Sequence, residues 1–421
     1  MLKRVRSSGF DFGSVLREGD VVTWPQGTGE PRGLTQRLAD RGMHWPAVRL
    51  FLGMSCSDTF TPEHADRFTF TGLNGAGTNR RLTAGGLLDV IPAHVSAVPG
   101  LIRSGVIRVD VVLLRVRPHP RKGFFTVGVI CDFTQAMVAA ARCVIAEIDE
   151  RLPMTAQDAL IAGADMDLLV DADADEVLLP DPEPDDVEMQ VARHVASCIP
   201  DGATIQLGIG TLPVAVCRSL TGHRDLGVHS GVIPDAVVDL VERGVITNSR
   251  KVADAGRIVT GGLFGGMRLK SFADNNPALN MRSADYTHNG HVMSGIHALH
   301  GINSAIEIDL AGQVNSEVAG GRYLGAVGGQ VDFVRGAQCS PGGRSILALP
   351  STTPDGKRSR IVATFDGRPV TTSRADVDLV VTEYGVADLR GQSLRERGRR
   401  MAVLAHPAFR EAILAEFNKF N

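Results

Sequence analysis

Short apolar runs alternate along the chain with stretches of helical period. In the first half these runs are rich in β-branched and aromatic residues, as strands are. They are GDVVTW, VRLFLG, FTFTG, VDVVLLRV, FFTVGVI and VIAEI. Because the predicted strands are separated by helical patterns nearly throughout, the sequence predicts an α/β protein with largely parallel sheets.

One acidic segment rich in proline interrupts this alternation. It spans residues 171–186 and reads DADADEVLLPDPEPDD, with neither the period of a helix nor that of a strand. We interpret it as a linker between two domains, residues 1–186 and 187–421. A length of 421 residues is enough for each domain to bury its own core.

The second domain is predicted to begin with a helix over 187–199 and to continue with strands. The strand candidates are ATIQL, RIVTGG, SAIEIDLAGQV, SILALPS, SRIVATF and VDLVVTE. This layout resembles that of the first domain, although no repeated sequence shows a duplication.

A glycine-rich turn in ATIQLGIGTLPVAVCRSL joins a predicted strand to a predicted helix. Thr211 is placed to cap that helix, and Pro213 lies in its first turn. Backbone N–H groups at such a helix start can bind a phosphate or an oxyanion, and Gly208 and Gly210 let a ligand approach closely. The turn lacks the third glycine of a dinucleotide fingerprint, so a simple tight turn is the alternative interpretation.

A second glycine cluster lies in GRYLGAVGGQVDFVRGA, residues 321–337. It places Gly325, Gly328, Gly329 and Gln330 just before what the pattern predicts as another strand. The Gln330 amide could orient a substrate carbonyl, or it could bond to the backbone of its own loop.

Composition excludes several classes of protein. The net charge is only −3, so no global charge attracts nucleic acid or an anionic membrane. The chain has no signal-peptide core and no apolar run of about 18 residues. Its six cysteines form no C-x-x-C pair, which favours buried thiols in a reducing compartment. We therefore expect a cytoplasmic protein without nucleic-acid or membrane partners.

Four histidines raise the question of a metal site. They are His288, His291, His297 and His300. Their spacing is not one of the recognised zinc patterns, so no metal is predicted.

Segments spread over the whole chain carry a family resemblance. Those of the second half are LGIGTLPVAV, NSAIEIDLAGQVNSE, GAVGGQVDFVRGA, SILALPSTTPDGKRSRIV, VTTSRADVDLVVTEYGVADLRG and ERGRRMAVLAHPAFRE. The first half matches more loosely, through GDVVTWPQGTGEPRGL, VDVVLLRVRP, GFFTVGVICDF and VIAEIDERLPMT. Together they resemble the acetyl-CoA hydrolase/transferase family, in the class I branch that includes 4-hydroxybutyrate and succinyl-CoA:acetate CoA-transferases.

The resemblance implies two open α/β domains of the CoA-transferase type, packed face to face and forming a homodimer. It also implies that acyl-CoA binds mainly to the second domain, with a carboxylate or another acceptor as second partner and no cofactor beyond coenzyme A. The candidate CoA-binding residues are Gly208, Gly210, Gly325, Gly328, Gly329, Gln330 and Lys357. Lys357 lies with Arg358 and Arg360 in a basic turn that could meet a CoA phosphate or could simply be exposed.

The stretch GVHSGVIPD, residues 227–235, departs from the family pattern. In CoA-transferases of this branch a glutamate carboxylate attacks the thioester and later carries CoA as a glutamyl thioester. The family reads approximately G-V-H-S-E, which aligns the glutamate with Gly231. The helix PDAVVDLVERG that follows, closed by Gly244, fixes this register. We therefore infer that the usual nucleophile is missing.

Several functions remain open with glycine at this position. Water could attack the thioester with help from a general base, for which His229, Asp235, Glu30 and Glu317 are the candidates. An acceptor could attack the bound thioester directly, with backbone N–H groups near Gly231 stabilising the oxyanion. Another carboxylate could replace the glutamate. Alternatively, the chain could bind CoA esters without turning them over, or act as a silent subunit beside an active homologue.

The same residues also have structural interpretations. His229 and Ser230 could close a junction between strand and helix. Ser230 lacks the elbow and the adjacent base that a serine nucleophile needs. Glu30 could cap a helix that begins at Pro31, and Glu317 could be a carboxylate satisfied within the core.

Overall fold

The computed structural model describes residues 3–40, 42 and 44–419. Its residues cluster into two units, neither of which is one continuous stretch of chain. The first unit comprises Met1–Pro180, Val259–Thr287 and Arg322–Gly328, and the second comprises Asp181–Ile258, His288–Gly321 and Gly329–Asn421. The predicted division at residue 186 stays a prediction.

The apolar runs of the first half form the predicted strands, accompanied by short additional ones. The strands are β1 (Lys3–Val5), β2 (Val21–Thr23), β3 (Val48–Leu52), β4 (Phe68–Gly72), β5 (Leu88–Val90), β6 (Val111–Pro118), β7 (Phe124–Thr126), β8 (Cys143–Ile148), β9 (Leu160–Ala162) and β10 (Leu168–Asp171). The helices are α1 (Arg32–Ala39), α2 (Asn79–Ala84), α3 (Val98–Arg103) and α4 (Thr134–Ala140).

The main sheet of the first unit is parallel and doubly wound. Its order is β1-β10-β8-β6-β2-β3-β4-β5, and every neighbouring pair in this path is parallel. Strands after β2 are added on one side and strands from β6 onward on the other, so the winding direction switches between β2 and β6. Ligands of open α/β sheets bind at such switch points, beyond the carboxyl ends of the strands.

The second half of the chain contributes shorter strands and longer helices. Its strands are β11 (Thr204–Gln206), β12 (Gly227–Ile233), β13 (Ile258–Leu263), β14 (Leu279–Met281), β15 (Leu299–Asn303), β16 (Glu307–Asp309), β17 (Val314–Asn315), β18 (Val318–Ala319), β19 (Arg322–Tyr323), β20 (Arg344–Ala348), β21 (Ile361–Val362), β22 (Leu379–Thr382) and β23 (Gly385–Asp388). Its helices are α5 (Asp186–Ser197), α6 (Thr211–Ser219), α7 (Ala236–Glu242), α8 (Met267–Ala273), α9 (Ala284–Thr287), α10 (Gly290–Ser294), α11 (Gln330–Cys339), α12 (Leu394–Leu404) and α13 (Pro407–Phe417).

Within the second unit, the main-sheet strands run in the order β12-β11-β15-β20-β22-β23. All these pairs are parallel except the last. The winding direction switches between β11 and β15, as it does between β2 and β6 in the first unit. The α/β class with largely parallel sheets is therefore confirmed.

The linker segment carries no regular structure from residue 172 to residue 185. Helix α5 begins directly after it, because Asp185 and Glu188 form a capping box. The Asp185 carboxylate accepts a hydrogen bond from the Glu188 N–H, and the Glu188 carboxylate accepts one from the Asp185 N–H. The predicted helix over 187–199 is thus confirmed, with its ends shifted by one or two residues.

The prediction of a strand after the second glycine cluster was wrong. Residues 330–339 form helix α11, in which Val331, Phe333, Val334 and Ala337 are buried. Their spacing is helical, but the β-branched and aromatic content of the segment suggested a strand. The burial of this apolar face stabilises the helix and outweighs the local preference of these residues for a strand.

Among the described residues, no helix combines the length and the apolar character that crossing a bilayer requires.

Candidate active site

The candidate site of the second unit lies around the carboxyl ends of β11, β12 and β15. The amides of Gln206 on β11 and Asn303 on β15 hydrogen-bond to each other across the switch point, at 3.0 and 3.4 Å. The loops that leave β11 and β15 therefore start side by side. This is the position at which open α/β sheets bind ligands.

Strand β12 carries His229, Ser230 and Gly231. It runs through Gly231 to Ile233, and helix α7 begins only at Ala236. Gly231 is therefore a strand residue and not part of the junction that follows. Because side chains alternate along a strand, His229 and Gly231 face one side of the sheet and Ser230 faces the other.

Ser230 has a structural role on its side of the strand. Its hydroxyl oxygen accepts from the Leu207 N–H at 3.2 Å, and its single proton is within reach of the carbonyl oxygens of Leu207, at 2.9 Å, and Val232, at 2.7 Å. These bonds tie β12 to the end of β11 in a fully buried position.

The space beside Gly231 is filled by the imidazole ring of His288. A β-carbon built on Gly231 would lie 2.6 Å from Cε1 and 2.9 Å from Nε2 of that ring. A β-carbon on Gly329 would meet the same ring, 2.5 Å from Nε2. The ring also makes an edge contact with Phe333 of α11, with 4.8 Å between centroids. Glycine at 231 and 329 is therefore what allows the imidazole to lie here.

The His288 imidazole is held in its neutral form. Burial lowers the pKa of His288 to about 3, and the nearby His229 adds to the decrease. Both histidines are almost completely buried. Two imidazoles, those of His229 and His288, therefore lie at the face of β12 that carries Gly231.

Gln330 begins helix α11 and its side-chain amide is bonded internally. The amide oxygen accepts from the hydroxyls of Ser316 and Thr372, at 3.0 and 2.9 Å, and the amide nitrogen donates to the Ser304 carbonyl at 2.7 Å. These bonds join the loops after β15 and β17 to the start of α11. A substrate contact for Gln330 stays a prediction.

Glu317 belongs to the same polar region. Its carboxylate accepts a hydrogen bond from the Thr371 hydroxyl at 2.7 Å, and its N–H donates to the Asn315 side chain. It is buried. Thr371 is followed by Thr372, which bonds to Gln330, so Glu317 and the start of α11 share one network.

Gly325 and Gly328 belong to the first unit, whereas Gly329 belongs to the second. The Gly325 carbonyl accepts from the Gly75 N–H at 2.8 Å, and the Gly328 carbonyl accepts from the Val95 N–H at 3.1 Å. Gly328 has a φ of +58°, a conformation that favours glycine.

The G-I-G turn precedes helix α6. Gly210 has a φ of +104° and is the N-cap, while Thr211 is the first helical residue. The prediction of Thr211 as N-cap was therefore wrong; its hydroxyl donates to Glu188 of α5 instead. Gly208 and Gly210 leave the turn open, since a β-carbon on Gly210 would meet no atom within 4 Å.

Glu30 lies in the segment that joins β2 to α1. Its carboxylate accepts from the hydroxyls of Thr35 and Ser57, both at 2.7 Å. Helix α1 begins at Arg32, and Glu30 makes no capping bond to it. The interpretation of Glu30 as a cap was therefore wrong.

The remaining candidates lie elsewhere in the second unit. Asp235 is the residue before α7, and its N–H donates to the Asp181 carboxylate at 3.0 Å. Lys357 and Arg358 are exposed. The Arg360 guanidinium donates to the backbone carbonyls of Ala305 and Ile306. Arg360 is therefore a structural residue of the small sheet that contains β16 and β21.

The four clustered histidines have separate surroundings. His288 faces Gly231, His300 lies on β15 with its ring bonded to the Ala298 carbonyl, and His291 and His297 are exposed. Within the described residues, no three His, Cys, Asp or Glu side chains are grouped to hold a metal ion.

Two family models match the chain. The acetyl-CoA hydrolase/transferase N-terminal domain matches residues 10–181, and the acetyl-CoA hydrolase/transferase C-terminal domain matches residues 265–417. The chain belongs to the acetyl-CoA hydrolase/transferase family.

Similar proteins include relatives named as CoA-transferases. The 4-hydroxybutyrate coenzyme A transferase of Clostridium kluyveri is 40% identical over 410 residues, covering 96% of this chain and 95% of that one. The structure of RipA from Yersinia pestis is 31% identical with a TM-score of 0.91, covering 99% and 97% of the two chains. The 4-hydroxybutyrate CoA-transferase from Porphyromonas gingivalis is 31% identical with a TM-score of 0.83, covering 100% and 98%.

In this hydrolase/transferase family member, sequence reasoning missed the role of His288. The histidine was considered only as a metal ligand, because its neighbours in sequence include other histidines. Its contacts with Gly231 and Gly329 arise from the fold. The sequence signal was indirect: the glycines at 231 and 329, which leave room for a ring from another segment.

Proposed function

We propose that this acyl-CoA-processing enzyme breaks the thioester by direct attack of water or an acceptor, without a covalent intermediate at residue 231. One observation carries the proposal. The position that we align with the family glutamate has no side chain, and the neutral imidazole of His288 fills the adjoining space. Neither group is a carboxylate that could form an acyl anhydride.

Hydrolysis needs a base for the attacking water, and we assign that role to His229. It shares the face of β12 with Gly231, two residues away, and it is close enough to His288 to lower that pKa. The water oxygen adds to the thioester carbonyl carbon while its proton moves to the imidazole. The C–S bond then breaks, and the proton passes to the departing thiolate. One acyl-CoA and one water give one carboxylic acid and one free CoA.

Transfer to a carboxylate acceptor can follow the same direct course. The acceptor oxygen attacks the thioester, which gives CoA thiolate and a mixed anhydride held in the site. The thiolate then attacks the acceptor carbonyl carbon of the anhydride, forming the new thioester and releasing the original acid. The relatives named as CoA-transferases favour this second course. It differs from the family mechanism only in that no covalent intermediate forms on the enzyme.

The other features of the proposal follow from the family. We propose coenzyme A as the only cofactor-like group, entering as substrate and leaving as product. The homodimer and the cytoplasmic location also remain proposals.

Turnover assays test the proposed function. Incubating the protein with several acyl-CoAs, with and without acetate, should give either free thiol or new acetyl-CoA. We expect His229→Asn to lower the rate of hydrolysis, measured as free thiol released without acetate, about 100-fold, as the loss of a general base does. His291→Asn removes an exposed histidine of α10 and is the matched control. Saturable CoA binding without any turnover would contradict the proposal and favour a binding protein.

A further inference from the structure

The imidazole of His288 occupies a narrow space between two glycines of the second unit. Gly231 lies on one side, on β12, and Gly329 lies on the other, immediately before α11. We propose that His288 is the specificity-determining residue of this site: its ring takes the space that a side chain at position 231 needs, so the site holds one of the two but not both.

The distances make the two side chains mutually exclusive. Carbon atoms in ordinary van der Waals contact are about 3.5–4.0 Å apart. A β-carbon on Gly231 would approach Cε1 of His288 to 2.6 Å before any further atom of the side chain is added. A glutamate at this position would therefore require the ring to move.

The ring has little freedom to move away. Swinging toward α11 brings it against Gly329, where the backbone already lies so close that a β-carbon would be 2.5 Å from Nε2. Phe333 closes a further side. The ring is therefore enclosed on the sides of Gly231, Gly329 and Phe333.

The backbone that carries His288 is also fixed. The Asn289 side chain caps helix α10 by accepting from the N–H groups of His291 and Val292. Met293 of the same helix is fully buried against Gly336 of α11, where a β-carbon would lie 2.5 Å from its sulfur. Close packing of α10 on α11 therefore holds the histidine in place.

The consequence concerns the choice of reaction, and it rests on the proposed function. With the ring in place, a carboxylate cannot be presented from residue 231, and attack must come from water or an acceptor. Without the ring, a carboxylate at 231 has room. The pair of residues 231 and 288 thus decides between direct and covalent chemistry.

Thermal stability tests the steric part without reference to activity. Gly231→Ala and Gly329→Ala should each lower the Tm by roughly 2–3 °C, because each adds a methyl group against the ring. In a His288→Ala background, each should cost less than about 1 °C, since the opposing atoms are gone. For Gly231→Ala, His288→Asn serves the same purpose if the alanine variant does not fold, because it removes Cε1 and Nε2, the two ring atoms closest to a β-carbon at 231.

Gly290→Ala is the matched control. It lies two residues from His288, is exposed, and would place its β-carbon within 4 Å of no other atom. Its effect on the Tm should be small and the same in both backgrounds. Equal Tm costs for Gly231→Ala with and without the histidine ring would overturn the proposal.

A CoA adduct on the protein tests whether the His288 ring prevents a carboxylate at position 231 from reacting. In Gly231→Glu combined with His288→Asn, the new carboxylate should attack acyl-CoA to give an anhydride and CoA thiolate. The thiolate should then attack the side-chain carbonyl and release the acyl carboxylate, leaving CoA bound to the protein as a thioester. Intact-protein mass spectrometry should show at least tenfold more CoA adduct on the double variant than on Gly231→Glu alone.

Equal adduct on the single and double variants would also overturn the proposal. A CoA adduct on the unmodified protein has a different meaning. It would contradict the proposed function, whereas the stability comparison would still decide the steric claim.

Discussion

Replacing His288 with asparagine should make the stability of the protein less sensitive to acid between pH 7 and pH 5. The folded protein holds the pKa of His288 at about 3, below the ordinary value of 6.5. Between these two values the unfolded chain binds a proton that the folded chain does not. Acid therefore favours the unfolded state, and stability is lost as the pH falls below 6.5.

The size of this effect follows from the linkage relation. Each pH unit below 6.5 costs up to about 1.4 kcal/mol, so His288 alone should remove about 2 kcal/mol of stability at pH 5. Asparagine does not titrate, and its variant should lack this part of the pH dependence. Any cavity that the smaller side chain creates lowers stability at every pH alike, so it does not change the slope.

Urea unfolding at pH 7, 6 and 5 measures the slope directly. His291→Asn is the control, because it removes a histidine from the exposed side of α10 and should keep the slope of the unmodified protein. If His288→Asn lost as much stability between pH 7 and pH 5 as the unmodified protein, the histidine would not be buried in its neutral form.

Replacing Arg115 with leucine should destabilise the first unit by about 3–5 kcal/mol, the usual cost of removing one partner from a buried ion pair. Arg115 lies on β6 and is 2% exposed. Its guanidinium pairs with Asp149, and its Nε lies 3.9 Å from the Glu147 carboxylate. Leucine would leave both carboxylates without this cation in a buried setting.

The loss should depend on pH in a defined direction. Burial raises the pKa of Glu147 to about 7, while Arg115 opposes that increase. At pH 8 the carboxylate is charged and needs the cation; at pH 5 it is neutral in the folded state. The destabilisation caused by Arg115→Leu should therefore be larger at pH 8 than at pH 5.

Arg151→Leu provides the matched control for this measurement. Arg151 also pairs with Asp149, but its side chain is 49% exposed, so solvent screens the interaction. We expect a loss of about 0–1 kcal/mol on urea unfolding. If the two arginine variants lost similar amounts of unfolding free energy, burial would not explain why the Arg115–Asp149 pair stabilises the protein.

Much of the fold could be predicted because local pattern and tertiary structure agree there. The runs VRLFLG and VIAEI contain β-branched and aromatic residues and are buried in a parallel sheet, where such residues pack well. The strand predicted for residues 330–339 was wrong because the same residue types also suit a buried helix face. Packing against β15 and α10 decides for the helix, and a short window of sequence does not contain that information.

The candidate site was predictable only in part, for a related reason. Gly231 stood out because a motif supplied the residue expected at its position. Its partner His288 lies far away in sequence and is brought to it by the docking of α10 on α11. The hydrogen bonds of Ser230 with Leu207 and of Glu30 with Ser57 likewise join segments that only the folded chain brings together.

The central claim is that acyl transfer proceeds without a covalent intermediate on the chain. Intact-protein mass spectrometry of the unmodified protein, quenched during turnover of acyl-CoA, tests it most directly. We predict an unchanged protein mass while free thiol or new acetyl-CoA accumulates. A mass increase corresponding to CoA or the acyl group, located on Glu317, Glu30 or any other carboxylate, would contradict the account.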